Sequence, residues 1–212
     1  IIAIIALPYL LTPLYGWGRP VSVLMLTRWL SGAPVQREWV PLRQMGASLP
    51  LAVIVAEDSG FCDHRGIEWG ALKQAIEDVS EGEVSGGGST ITQQTVKNLF
   101  FWPGRSYLRK ALEVPLALWM DLILPKSRIL EIYLNIAEWG PNGQFGAAAA
   151  ARHAFAKPPM QISRSEAALL AATLPNPALR SARAPGRAVR RAGGIYTSRI
   201  KVAGDLDACL RE

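Results

Sequence analysis

The sequence predicts a mainly α fold with an apolar segment at its N-terminal end. Apolar residues recur at helical spacing along most of the chain, and no window alternates for long enough to demand a large sheet. Ser163-Arg164-Ser165-Glu166 has the pattern of a capping box and opens a helix. Residues 1–18 carry no charge at all. The 212 residues hold one domain comfortably, with room for a small lobe, and show no internal repeat.

The elements follow in order. A bilayer-spanning helix needs about 20 apolar residues. Residues 1–18 are therefore expected to be a transmembrane segment, truncated at its start, with Tyr9, Tyr15 and Trp17 as an aromatic belt. A signal peptide is the rival, disfavoured because no small-x-small cleavage site follows. A buried core helix is the other alternative, and Pro8 and Pro13 weaken any straight helix. Residues 19–212 form the second unit. It begins with a short helix over Val21–Leu30 and an irregular approach containing Trp39, Pro41 and Pro50. Leu51–Ala56 is an apolar run that must be buried, as helix or strand. Ile67, Leu72, Ile76 and Val79 give one amphipathic helix between Gly66 and Gly82. Ser85–Gly88 is a mobile or tightly turned loop. Helices follow over Thr90–Phe101, over Ser106–Leu124 with an interruption at Pro115, over Ser127–Ile136 and over Gly146–Phe155. The capped helix after Ser163 ends before Leu174-Pro175-Asn176-Pro177, and Arg180–Lys201 has seven basic residues and no acid.

Composition narrows the function classes. There are 23 basic and 17 acidic residues, a net charge of +6, which suits anionic partners: phospholipid, nucleic acid or a phosphorylated substrate. Two cysteines, Cys62 and Cys209, give no disulfide framework, and whether they meet is a matter of geometry. His64 and His153 show no zinc spacing, so no tightly held transition metal is expected.

Chemistry concentrates in the middle of the chain. Glu57 and Asp58 stand where the run Leu51–Ala56 reaches a surface. Partial burial raises a carboxylate's pKa and makes it a stronger base near neutrality. An acid ending a core element and paired with His64 or Arg65 is the plainer alternative. The glycines before Ser89, Thr90, Gln93 and Gln94 let backbone approach a ligand, and these side chains offer neutral donors to sugar hydroxyls or phosphate. No Gly-Lys-Ser/Thr follows, so this is not a P-loop. Lys97, Arg105, Arg109 and Lys110 form a cationic series suited to a phosphate or pyrophosphate. Phe100, Phe101 and Trp102 lie within it and are expected to face lipid. Glu113 follows Arg109 by four residues and shares its helix face. Glycoside hydrolysis normally needs a second carboxylate as proton donor. A pyrophosphate leaving group needs cations instead. One embedded carboxylate beside Lys/Arg thus points to sugar transfer from a diphosphate, and an apolar anchor to a lipid-linked one.

These residues also resemble a known family. Glu57, Asp58, Phe61, His64 and Gly66 follow the pattern E-D-x-x-F-x-x-H-x-G, the first motif of the peptidoglycan glycosyltransferases, glycosyltransferase family 51. Gly87–Gln94 followed by Lys97 and Asn98 is similar to the second motif, Arg109–Glu113 to the third, Lys126–Asn135 to the fourth, and Glu166–Ala171 with Pro175–Pro177 to the fifth. The chain ends soon after the fifth, so it resembles the monofunctional members rather than the bifunctional penicillin-binding proteins.

The resemblance implies a lysozyme-like, two-lobed fold with head and jaw, an N-terminal transmembrane helix, and a catalytic domain on the periplasmic side of the bacterial inner membrane. It implies polymerisation of lipid II into β-1,4 glycan strands by inverting transfer from an undecaprenyl-pyrophosphate-linked donor. By position Glu57 is the base, and Lys97, Arg105, Arg109 and Lys110 hold the pyrophosphates. Glu113 organises that cationic site, or a divalent ion within it. Asp58, Phe61, His64, Gly88, Ser89, Thr90, Gln93, Gln94 and Asn98 belong to the substrate-binding wall, while Lys126, Tyr133 and Asn135 support the fold. Mg²⁺ or Mn²⁺ promotes activity in the family, but no dedicated metal cage shows in the sequence. Expected partners are lipid II, the growing glycan and the membrane, with cell-division or elongation proteins as candidates and no nucleic acid. Two rivals stand beside this reading. A lysozyme-like lyase or hydrolase would have no pyrophosphate for the cations to hold. A membrane-anchored scaffold would be indifferent to Glu57.

Overall fold

The computed structural model describes residues 2–80, 88–104 and 107–211. The chain is mainly helical, as expected. The run Leu51–Ala56 lies in helix α3 (Ser48–Glu57), whose Leu49, Pro50, Ala52, Val53, Ile54 and Val55 are all buried. It shows no polar stripe because neighbours cover it on most sides. Helices α9 (Arg164–Ala171) and α10 (Arg187–Lys201) pack against it. Alanines 167, 168 and 171 keep the buried face of α9 shallow, and Gly193 of α10 faces Leu169, where a Cβ would come within 2.9 Å of the leucine.

A second layer forms around α5 (Ile91–Phe100), which lies between α6 (Tyr107–Ile123) and α7 (Lys126–Ile136). Contrary to the expected interruption, α6 runs continuously through Pro115. A proline removes one intrahelical donor, a loss that packing of the buried face against neighbours offsets. Leu116, Ala117 and Met120 supply that face. Further helices are α2 (Val23–Leu30), capped by Ser22, α4 (Trp69–Ser80) and α8 (Gly146–Phe155). Of the residues proposed for the α4 stripe, the side chains of Ile76 and Val79 lie outside the described set.

Within the approach predicted as irregular, β1 (Gln36–Arg37) pairs parallel with β3 (Gln144–Phe145), and β2 (Glu138–Gly140) pairs antiparallel with β3. The contact is close: Gly143 has φ +75°, and a Cβ there would lie 2.0 Å from the Pro34 carbonyl oxygen. Asn135 at the end of α7 clamps the same approach, accepting from the Val40 N–H at 2.8 Å and donating to its carbonyl at 2.9 Å.

Residues Ile2–Leu14 form helix α1, with Pro8 and Pro13 inside it, packed along α6. Among the described residues no helix is long and apolar enough to cross a membrane. Two residues of the expected aromatic belt are packed instead of open. Tyr9 sits beside Trp119, whose indole N–H donates to the Tyr9 carbonyl at 3.1 Å, and Tyr15 stacks on Phe100 with ring centroids 5.8 Å apart. Trp17 is 87% exposed.

The Tyr15–Phe100 stack also changes the expectation for 100–102. Phe100 and Phe101 pack against the core, whereas Trp102 is half exposed. Replacing Phe100 by Ser should cost about 2 kcal/mol, below the roughly 3–5 kcal/mol of a fully buried phenylalanine. Replacing Trp102 by Ser should stay within about 0.5 kcal/mol. Chemical denaturation of the two variants checks the contrast, and equal losses would mean that the stack contributes nothing.

Candidate active site

The site begins where α3 ends. Glu57 is the last helical residue and is partly buried. Its Oε2 accepts a 2.9 Å hydrogen bond from Gln94 Nε2, one turn into α5. The amide of Gln94 is itself fixed, because the Tyr133 hydroxyl donates to its Oε1 at 3.0 Å. Tyr133 is fully buried on α7, and burial pushes its hydroxyl pKa well above 10, so it remains a donor. The chain Tyr133–Gln94–Glu57 therefore holds the carboxylate with one defined donor.

Burial raises the pKa of Glu57. The Gln94 bond opposes the rise, as do the Lys97 and Arg180 cations, while Asp58 reinforces it. Burial lowers the pKa of Lys97, with Arg109 adding to the fall and Glu113 and Glu57 opposing it. Lys97 thus lies within electrostatic reach of both carboxylates and makes no ion pair within 4.0 Å among the described residues. It is a cation held near two carboxylates without bonding either.

Arg109 and Glu113 form the other half. They pair at 2.6 Å, Arg109 Nε to Glu113 Oε1, with both side chains buried. Arg109 also donates to the Trp102 carbonyl at 3.0 Å and to that of Gly104. The guanidinium therefore anchors the segment before α6 as well as ordering Glu113. Burial raises the pKa of Glu113, and Arg109, Lys97 and Lys110 pull it back. Lys110 and Asn98 are half-buried on the adjoining turns. Arg105 lies outside the described residues, as do residues 81–87 of the glycine-rich loop.

Several residues expected in the substrate wall also hold the fold together. Asp58 receives His64 Nε2 at 2.9 and 3.0 Å and the Ile91 N–H at 2.9 Å, so its carboxylate caps the start of α5. Phe61 is fully buried, with Lys126 Nζ 4.8 Å from its ring centroid. Lys126 also donates to the His64 carbonyl at 2.7 Å and pairs with Asp121 at 2.6 Å, the fold-supporting role expected of it. Thr90 and Gln93 form a reciprocal capping box, and Thr90 Oγ1 donates to the Gly66 carbonyl at 2.6 Å. Gly66 has φ +78°, and a Cβ there would lie 2.7 Å from the Ala117 carbonyl oxygen, so only glycine lets this loop close on α6. Gly88, at φ +94°, and Ser89 precede the cap and are half-buried.

The structure adds two residues that sequence reasoning missed. Arg180 and Tyr196 lie within electrostatic reach of Glu57. Arg180 follows the Pro175–Pro177 motif by three residues, which is the one local hint; Tyr196 has none, because the packing of α10 on α3 brings it there.

Cys62, in the loop after Glu57, is disulfide-bonded to Cys209, with Cα atoms 5.4 Å apart. The bridge ties the C-terminal tail to the loop that carries Phe61 and His64.

Comparison with known proteins gives the family of the chain. The family model described as Transglycosylase matches residues 24–198. A protein of Rhodopseudomonas palustris (strain TIE-1) named biosynthetic peptidoglycan transglycosylase is 59% identical over 211 residues, covering 100% of this chain and 89% of the relative. A protein of the same name from Nitrobacter hamburgensis is 55% identical, covering 100% and 93%. One from Agrobacterium fabrum is 44% identical, covering 99% and 93%.

Proposed function

Since the chain belongs to the transglycosylase family and is a peptidoglycan glycosyltransferase, we propose that it polymerises lipid II into β-1,4-linked glycan with Glu57 as general base. The observation that carries this is the half-buried Glu57 carboxylate, its pKa raised by burial, held by Gln94 and within electrostatic reach of Lys97, which makes no ion pair among the described residues. In the proposed step Glu57 takes the proton from the acceptor's 4-hydroxyl. That oxygen forms the bond to C1 of the donor sugar on the face opposite the diphosphate, which inverts the anomeric centre. The C1–oxygen bond to undecaprenyl pyrophosphate breaks, and its electron pair leaves with the diphosphate. Lys97 and Lys110 stabilise that growing charge, and Arg109 holds Glu113 clear of it. The lysozyme-like division into head and jaw and an inner-membrane setting belong to the same proposal. The outward leucines of α1 and α6, among them Leu10 at 70% and Leu122 at 73% exposed, support a lipid-facing surface.

Mg²⁺ or Mn²⁺ would find no dedicated side-chain cage among the described residues, and would have to share a single carboxylate with the donor's phosphate oxygens. No group of three His, Cys, Asp or Glu residues converges among the described residues, and Glu113 is already paired with Arg109. The step above relies on the lysines alone.

Turnover of purified lipid II in detergent tests the reading. Formation of glycan polymer is the expected result. Absence of polymer together with solubilisation of purified sacculi would replace it with a glycan-cutting activity.

Tyr133 supplies a finer test. Tyr133→Phe frees the Gln94 amide to turn its oxygen toward Glu57, removing the donor that opposes the burial effect. The pKa of Glu57 then rises further, and the acid limb of the kcat/KM profile moves to higher pH. Loss of the buried hydroxyl bond should also cost about 1–3 kcal/mol of stability. A stability loss with an unmoved acid limb would reduce Tyr133 to a packing role.

A further inference from the structure

Beside the first turn of α7 the nearby acids are engaged and two arginines are not. Arg37, on β1, places its guanidinium 4.9 Å from the Trp39 ring centroid, and Arg128 lies 5.1 Å from the same ring. Arg128 is fully used: it donates to the Tyr15 carbonyl at 2.8 Å and to that of Gly18, and it pairs with Glu131. Glu131 in turn accepts from the Leu42 N–H at 2.8 Å, and Glu38 pairs with Arg152.

Arg37 makes no hydrogen bond or ion pair among the described residues, and its Nε and Nη2 are buried without an acceptor. Burial, and then the charge of Arg19, lower its pKa to about 10. Arg19 is exposed, directly after Gly18, and also forms no ion pair within 4.0 Å among the described residues. Of the four arginines and two acids named here, Arg128 and Arg152 hold Glu131 and Glu38, and Arg19 and Arg37 are left without an acid among the described residues. Desolvated donors without acceptors, in a cluster that repels itself, mark a place that an anion would stabilise.

Two further features bear on the anion. Arg37 also forms part of the wall of a groove of about 410 Å³, lined besides by Gln36, Glu38, Ala149, Arg152 and His153 but not by Arg19, so the residue is open to solvent on that side. Through its bonds to Tyr15 and Gly18, Arg128 ties the cluster to the end of α1. There Leu10 and Leu14 are 70% and 61% exposed and Trp17 is 87% exposed. An open apolar face followed at once by unpaired arginines is the arrangement of an interfacial contact with anionic lipid. The planar guanidinium fork matches phosphate oxygens.

We propose that Arg37 and Arg19 form a phosphate-binding site outside the catalytic cleft, and that its ligand is the phosphodiester of an anionic phospholipid headgroup. The site does not depend on the reaction assigned to Glu57. It would orient the domain on the membrane through a bond to one lipid class.

The test is flotation of the full chain with vesicles of phosphatidylcholine alone and of phosphatidylcholine mixed with phosphatidylglycerol, at one low salt concentration. Wild type should gain affinity on the anionic vesicles. Arg19→Gln/Arg37→Gln should lose roughly thirtyfold there, which is about 2 kcal/mol at about 1 kcal/mol per arginine. Its binding to neutral vesicles should be unchanged. Arg19→Gln alone removes an exposed side chain without risk to the fold and should lose roughly fivefold. Arg187→Gln/Arg191→Gln, on the basic α10, should keep the gain. An equal loss in the α10 variant would overturn the site in favour of diffuse charge, and so would an undiminished gain in Arg19→Gln/Arg37→Gln. A thermal shift in inorganic phosphate that is lost in Arg19→Gln/Arg37→Gln, with no anionic gain on vesicles, would overturn the lipid as ligand.

Discussion

Glu57→Gln should lower lipid II turnover by about 10²–10⁴-fold, the usual contribution of a positioned general base. Geometry makes this a clean substitution. A glutamine at the end of α3 keeps an oxygen that accepts from Gln94 Nε2, so the relay from Tyr133 survives. Only the capacity to take a proton is lost. The same change should make the protein more stable at neutral pH. Burial raises the folded pKa of Glu57 above its unfolded value of about 4.3. Between those two values the folded state holds a proton that the unfolded state has released, so stability falls as pH rises through this window. The cost is fully present above the folded pKa and absent below the unfolded one. The melting temperature of Glu57→Gln should therefore match wild type near pH 4 and exceed it at pH 7. A variant that is inactive but no more stable at pH 7 would mean that Lys97 and Arg180 already balance the buried charge. Retained turnover would remove Glu57 from the role of base altogether.

The gain in stability and the loss of activity come from one cause. A base that is useful near neutrality has to be partly desolvated, and a desolvated carboxylate opposes folding. Neighbouring groups are arranged to limit that cost without cancelling it. Gln94 gives one hydrogen bond rather than an ion pair. Lys97 and Arg180 act by proximity alone, with no ion pair to Glu57 within 4.0 Å. A direct bond from either cation would hold the carboxylate ionised and weaken it as a base. The strong pairs at this site, Arg109–Glu113 and Asp58–His64, are set one step back, where they hold the segment before α6 and the start of α5.

How much of this was legible in the sequence follows from the range of each interaction. The helices showed because periodicity and caps are local, as with Ser163 and Glu166. Glu57 showed because an apolar run reaching an acid is also local. Thr90 and Gln93 carry a capping-box spacing as plainly as Ser163 and Glu166, and the structure forms that box. Phe100 gave no sign of its stack on Tyr15, 85 positions earlier. Arg180 and Tyr196 reach Glu57 only because α9 and α10 pack on α3. Pro115 misled because helix propensity is weighed residue by residue, while the face of α6 is held by its neighbours. Cys62 and Cys209 could not be paired in advance, since two thiols 147 residues apart meet only if the tail returns to the loop.

That tail gives the second large effect. Cys62→Ser/Cys209→Ser should destabilise the protein by about 3–5 kcal/mol. A cross-link closing a loop of 147 residues removes about 5 kcal/mol of unfolded-chain entropy on the loop-closure model. The lower figure allows for fraying of the tail, which costs the unbridged folded state little. Leu206 and Leu210 are only half-buried, and the last ion pairs, Arg211 to Asp205 and Asp207, are exposed and worth little. Activity at 25 °C should change far less than stability, because the loop around Cys62 has its own fixings. Phe61 is buried in the core, His64 bonds Asp58, and Lys126 holds the His64 carbonyl. Denaturation with and without reductant checks the argument, and wild type under reducing conditions should match the double variant. An oxidised wild type no more stable than the double variant would show that the bridge does not form. A variant that loses activity in step with stability would show that the bridge, rather than Asp58 and Lys126, sets the loop beside Glu57. A bridge of this kind persists where thiols are oxidised, so its formation in the purified protein also bears on the envelope setting that peptidoglycan synthesis implies.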